Sequence, residues 1–211
     1  MYDPIRMIVY TSKLSLNSEN KFRDNFLFLK AKYALVNEKF KEAEEHFEMI
    51  NIRTASQKRL VLKYLIPCKI FLGKMFEAKP GRGEEVFPEY ETLIKAMKNA
   101  SFKNFDEAVQ KYQKVWIKRG IYLLMDRLRV LIWRNLIKKI YYALGEKIMF
   151  EKIEKAVGLA GGSENVNECI CIIGNLIYEG YLKGIIYQNE QVRGLILKKD
   201  KCFPKLADVV G

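Results

Sequence analysis

Residues 165–198, NVNECICIIGNLIYEGYLKGIIYQNEQVRGLILK, decide the fold. The first half reads as a helix over about 165–179, and then the period changes. Lys183–Gln188 and Gly194–Lys198 are short β-branched runs on either side of Asn189-Glu190-Gln191, the pattern of a β-hairpin. Upstream lie a Gly-rich turn (Gly158, Gly161, Gly162, Ser163), a short helix at 149–157 and a helix at 131–144. Three helices followed by a two-stranded hairpin is the order of a winged helix.

Working back from there, the chain reads as helices with short breaks. A helix at 121–129 follows Gly120. Another at 104–118 buries Phe105, Ala108, Val109, Tyr112 and Trp116, and sets Lys111, Lys114 and Lys118 in a separate stripe. A helix at 88–99 follows a loop at 76–87 that holds Pro80, Gly81 and Gly83. Residues 55–75 form an almost all-round apolar helix, expected to be central and to kink or break at Pro67, which lacks a backbone N–H. Residues 21–37 space Phe22, Phe26, Leu29, Tyr33 and Val36 on one face. Residues 39–50 do the same with Phe40, Ala43, Phe47 and Ile50. Two short amphipathic helices so closely joined predict a helical hairpin, because neither buries its apolar face alone. The expected fold is mainly α: helical-repeat, α-solenoid-like hairpins over 1–128, then a C-terminal winged helix with a small β-hairpin over 129–211.

Composition limits the function classes. The chain has 211 residues, 49% hydrophobic, with five prolines, which is enough for a packed core. There is no run of about 20 apolar residues for a membrane span, and MYDPIRMIVY lacks a secretory signal pattern. Cys68, Cys169, Cys171 and Cys202 form no CxxC pair. Neighbours of the Cys-x-Cys type project about 200° apart on a helix, so these are read as reduced, buried thiols. The one histidine, His46, sits among Glu44, Glu45 and Glu48 and is read as a surface residue. No Walker or dinucleotide fingerprint is present. No cofactor, metal site or enzymatic constellation is expected.

The net charge of +12 attracts polyanions: nucleic acid, acidic proteins or an anionic membrane. It is not spread evenly. Residues 102–140 hold ten Lys/Arg against three acids, and residues 181–205 hold six against two. The expected third winged helix has no Lys or Arg; it carries Glu168, with Glu164 and Glu179 at its ends, so it would repel a major groove. Phosphate contacts are therefore expected from Lys183, from Arg193, Lys198, Lys199 and Lys201 around the wing, and from Arg134, Lys138 and Lys139 on the first winged helix. Such contacts position nucleic acid without reading its sequence. Trp116 and Trp133 are read as core, and Tyr141, Tyr142 and Tyr178 as core or interface packing rather than base-stacking rings.

Four blocks carry a family resemblance. Lys58-Arg59-Leu60-Val61-Leu62-Lys63-Tyr64-Leu65-Ile66-Pro67-Cys68-Lys69-Ile70, ending at Gly73, resembles a helix of the PCI proteins of the nuclear mRNA-export complex. Arg119-Gly120-Ile121 with Leu124 and Leu128, leading to Trp133-Arg134-Asn135-Leu136 and Lys138-Lys139, is similar to a second segment. Asn175-Leu176-Ile177-Tyr178, Gly180, Lys183-Gly184 and Ile186 resemble a third, and Phe203-Pro204 the closing motif. The blocks stand in family order over about residues 20–205. The resemblance implies a PCI domain in a non-enzymatic adaptor subunit of a complex linking transcription to export at the nuclear pore. It implies a larger PCI scaffold subunit, a small acidic disordered subunit and RNA or DNA as partners, with no small-molecule substrate and no membrane. Lys111, Lys114 and Lys118 would then meet the small acidic subunit. Family members are usually longer, with more repeats before the PCI domain, so a reduced partner interface or a compact complex is expected. PCI subunits of the proteasome lid, the signalosome and translation initiation factor three, which act mainly in protein assembly, are the alternative. A stand-alone winged-helix regulator is a further one, and the acidic third helix argues against it.

Overall fold

A computed structural model of the chain describes residues 23–74, 87–189, 192–199 and 201–210. These fall into two compact units, 23–74 and 87–209. The division between 128 and 129 expected from the sequence lies inside the second unit. The loop expected at 76–87 and the stripe residue Phe22 lie outside the described residues, apart from Phe87.

Among the described residues the first unit contributes α1 (Arg23–Val36), α2 (Phe40–Glu48) and α3 (Ala55–Phe71). The hairpin of α1 and α2 turns through Asn37–Lys39, where Glu38 adopts a left-handed φ of 63° and the Asn37 amide donates to the Tyr33 carbonyl. The face of α1 that packs is not the expected one. Leu27, Ala31, Ala34 and Leu35 are buried, whereas Leu29 and Val36 are exposed. Two alanines let α2 approach closely, and the long side chains flank the seam. Phe40 stacks on Phe71 at 4.2 Å, and Phe28 meets Phe47 and Tyr64 edge-on at 5.8 and 5.5 Å. Thr54 caps α3 through its hydroxyl. Of the kink or break expected at Pro67, the break is absent: the helix runs through it, and Pro67 is buried. Only the second half of α3, from Val61, is central; residues 55–60 are exposed. His46, expected at the surface, is only 13% exposed at its side chain, with Nε2 3.5 Å from Glu42.

The second unit begins with α4 (Pro88–Asn99) and α5 (Phe102–Arg119). Ala100 ends α4 in the left-handed region and Ser101 caps α5. The stripe expected on α5 is the one buried, apart from half-buried Tyr112; Trp116 and Trp133 are both core. Gly120, at φ 71°, stops α5, with its N–H bonded to the Ile117 carbonyl and that of Ile121 to Trp116.

Two helices follow, α6 (Tyr122–Arg127) and α7 (Arg129–Leu144), and then β1 (Lys147–Met149), α8 (Phe150–Leu159), α9 (Val166–Tyr178), β2 (Gly184–Gln188), β3 (Arg193–Leu197) and α10 (Leu206–Val209). The winged helix is thus α7, α8 and α9 with an antiparallel sheet in the order β1-β3-β2. The hairpin register pairs Gly184 with Leu197 and Gln188 with Arg193. The third strand, β1, was not expected; it pairs Ile148 with Leu195 and buries both. Gly194, on the central strand, has no side chain, so the ring of Tyr187 on β2 crosses it and the Tyr187 hydroxyl donates to the Met149 sulfur on β1 at 3.3 Å. The fold is the mainly helical one read from the sequence, with helical hairpins before a winged helix.

Candidate nucleic-acid interface

Backbone hydrogen bonds assemble the basic rim. The Lys198 N–H donates to the Lys183 carbonyl at 3.1 Å, and the Lys183 N–H to the Cys202 carbonyl at 2.9 Å. The end of β3, the start of β2 and the C-terminal strap are therefore tied together. Lys183, Lys198, Lys199 and Lys201 are exposed there, and none of them joins the ion pairs found among the described residues. Arg193 is half-buried; its Nη1 donates to the Asn167 side chain at 2.8 Å, fixing the wing to the start of α9.

The three cations expected from α7 separate. Arg134 is 8% exposed. Its Nη2 donates to the Pro204 carbonyl at 2.7 Å and its Nε to Tyr181 at 3.3 Å, and its guanidinium lies 5.7 Å from the Phe203 ring centroid. Burial holds its pKa below the usual arginine value, against a smaller opposite pull from Cys202 and Tyr181. It is a clasp for the C-terminal strap, and the expectation that it meets phosphate is corrected. Its neighbours three residues away, Leu131 and Ile137, are both buried, so its place on the helical wheel carried that signal. Lys139 donates to the Asn99 carbonyl at 2.8 Å, towards the end of α4. Lys138 is half-buried, 5.9 Å from the ring centroid of Tyr142.

The cations of 102–140 are likewise partly used. Arg119 pairs with Glu89 at 2.7 Å, and Arg129 with Asp106 and Glu164 at 2.5 and 3.2 Å. Lys111, Lys114 and Lys118 are exposed along α5, as their spacing predicted.

The acids of α9 have structural duties. Asn165 and Glu168 form a capping box, each side chain bonded to the other's backbone N–H, at 3.1 and 2.8 Å. The negative charge of Glu168 suits the helix N-terminus and opposes a phosphate backbone there. Cys169, Ile173 and Leu176 face inward, while Cys171 is exposed, which corrects the reading of all four thiols as buried. Burial pushes the Cys68 thiol up to about 12 and that of Cys169 to about 11, so neither supplies a thiolate nucleophile near neutral pH. Tyr178 is 91% exposed and Tyr142 is exposed as well, which excludes the core half of the core-or-interface expectation for both; Tyr141 is half-buried against Phe203. No metal-ligating cluster and no helix able to cross a membrane occur among the described residues. A cleft of about 720 Å³ lies beside the rim, lined by Lys183, Lys201, Phe203, Pro204 and, from outside the expected set, Lys205.

This architecture defines a class, and the comparisons agree with it: residues 109–192 match the family profile described as the PCI domain, so the chain carries a PCI domain. Among curated proteins it is similar to PCI domain-containing protein 2 of Xenopus laevis, 30% identical over 193 residues, covering 89% of this chain and 48% of that protein. A PCI domain-containing protein of Schizosaccharomyces pombe is 36% identical over 169 residues, covering 70% of this chain and 35% of its own length. Enhanced ethylene response protein 5 of Arabidopsis thaliana is 27% identical over 213 residues, covering 97% and 47%. The chain spans about half the length of these relatives, or less.

Proposed function

We propose that this chain is a non-enzymatic adaptor subunit of a nuclear mRNA-export complex. In this reading it binds a larger PCI scaffold subunit and a small acidic subunit, and holds RNA or DNA without sequence preference on the winged-helix rim. The observation that supports it most is the juxtaposition of exposed Lys183, Lys198, Lys199 and Lys201, which join no ion pair found among the described residues, with an α9 whose N-terminus is acidic. Cations so placed neutralise phosphates by counterion release, while the helix that would read bases opposes a groove. Lys138 and Lys139 contribute at most a flank, and Lys111, Lys114 and Lys118 offer a separate basic stripe to the acidic subunit. Affinity purification of the tagged chain with mass spectrometry tests the assembly: recovery of a second PCI protein together with a small acidic protein supports it. Recovery of proteasome-lid, signalosome or initiation-factor subunits instead contradicts the export assignment. A nuclear location is part of the same proposal and is checked by imaging the tagged chain.

A second reading has its own support. β2 is an outer strand of the sheet, and Ile185 on it is 64% exposed. An unpaired strand edge with an apolar side chain suits edge-to-edge pairing with a neighbouring subunit. Ile185→Glu that abolishes partner recovery while leaving oligonucleotide affinity intact would favour assembly as the main role of this module.

A further inference from the structure

The cleft beside the rim differs from the rim itself in shape and chemistry. It is concave, about 720 Å³, bounded by the end of α9 (Glu179, Gly180), by Lys183, by the strap (Lys201, Phe203, Pro204, Lys205) and by α10 (Asp208, Val209). That volume lies within the roughly 300–1,000 Å³ of pockets that enclose small-molecule-sized groups. Its wall is fixed from behind: Arg134 holds the Pro204 carbonyl, and Tyr141 and the Arg134 guanidinium pack against Phe203, each 5.7 Å from the ring centroid. Phe203 nonetheless stays half-exposed and lines the cleft. Tyr178, 91% exposed, immediately precedes the lining residue Glu179.

Resting on the nucleic-acid reading above, we propose that this cleft selects single strands: it takes an unpaired base against Phe203, with Lys183, Lys201 and Lys205 on the flanking phosphates. Two features favour this ligand over others. A duplex presents its backbone on a convex surface with its bases stacked inside, so it meets the exposed rim lysines but offers no unpaired base to a pocket. The lining also mixes three lysines with two carboxylates, Glu179 and Asp208. The side chains of an acidic peptide bring acceptors alone, so only its backbone N–H groups would answer Glu179 and Asp208. A nucleotide brings a phosphate for the lysines and, in cytosine, adenine or guanine, an exocyclic amine that a carboxylate accepts. Arg134 acts here as a positioning residue, through the strap.

The test measures fluorescence anisotropy of the full chain with a labelled 12-nucleotide mixed-sequence RNA, the same RNA as a 12-base-pair duplex, and an oligoglutamate peptide, at two salt concentrations. The single strand is expected to bind about tenfold tighter than the duplex. Phe203→Leu, which keeps an apolar side chain under Arg134, should weaken single-strand binding by about five- to tenfold, the low end of base–aromatic stacking, without changing the salt slope. Lys205→Gln should lower that slope by about 0.7. Equal affinity for duplex and single strand overturns the cleft while leaving nucleic-acid binding intact. Absence of binding to either overturns both readings. Oligoglutamate binding as tight as RNA also overturns the proposal. Circular dichroism shows whether Phe203→Leu is folded; if it is not, Lys205→Gln and the comparison of single strand with duplex decide the matter.

Discussion

Arg134→Met separates a clasp from a phosphate ligand. Methionine fills much of the arginine stem's space but donates to neither the Pro204 nor the Tyr181 carbonyl, which Arg134 contacts at 2.7 and 3.3 Å. A hydrogen bond from a charged donor contributes about 1.5–3 kcal/mol, and a buried carbonyl left unpaired costs about 1–3 kcal/mol. The longer of the two bonds stands at the low end. Working in the other direction, no carboxylate is among the groups that set the charge state of Arg134. Removing a buried cation with no acidic partner among the described residues returns part of its desolvation cost. The net expectation is a loss of about 2 kcal/mol, which for a chain of 211 residues lowers Tm by about 4–8 °C. Thermal unfolding followed by circular dichroism measures the first effect, and the salt slope of duplex binding measures the second, which should not change. An unchanged Tm with a slope lowered by about one unit would show that Arg134 meets phosphate after all, and would refute the clasp.

Other outcomes follow from local structure. Asn165→Ala removes the side-chain half of the α9 capping box and should cost about 1 kcal/mol, or about 2–4 °C in Tm. Burial first, and then Lys30, hold the His46 pKa below 6.5, against opposing pulls from Glu42 and Glu45. The unfolded chain therefore binds the proton more readily, and stability should fall as pH drops below 6.5 towards the lower folded value. His46→Gln should flatten Tm against pH in that window; an unaltered profile would contradict the burial assigned to the ring. Lys111→Glu with Lys114→Glu should leave oligonucleotide affinity nearly unchanged and reduce recovery of a small acidic partner in affinity purification.

Much of the second unit was legible because its signals are strong and local. The α5 stripe of large residues, the αL stop at Gly120, the hairpin and the Trp116 and Trp133 core all came from spacing and residue type. The misses have common physical causes. In α1 the packed face uses Ala31 and Ala34, small residues that a search for large apolar side chains passes over. β1 has three residues, too few for a period-two pattern, and is made a strand by its pairing with β3. Arg134 was grouped with Lys138 and Lys139 by sign of charge, although one helical step turns each side chain by about 100°. The helix sends Arg134 inward, Lys138 towards Tyr142 and Lys139 towards α4. Charge counting located the basic region but not the pairing of Arg119 with Glu89, 30 residues away, or of Arg129 with Asp106 and Glu164, 23 and 35 residues away, because such pairs depend on tertiary contact. Lys205 gained its place through the strap that Arg134 holds.

The salt dependence of oligonucleotide binding reaches the central claim most directly. Affinity of the full chain for a DNA duplex of arbitrary sequence is measured from low to physiological salt, alongside a variant with Lys183, Lys198, Lys199 and Lys201 all changed to Gln. The account predicts a clearly negative slope that shrinks by about 3–4 units in the variant, at about 0.9 per phosphate contact, with the same change for a second, unrelated sequence and an unaltered Tm. Equal slopes for the two proteins would contradict it.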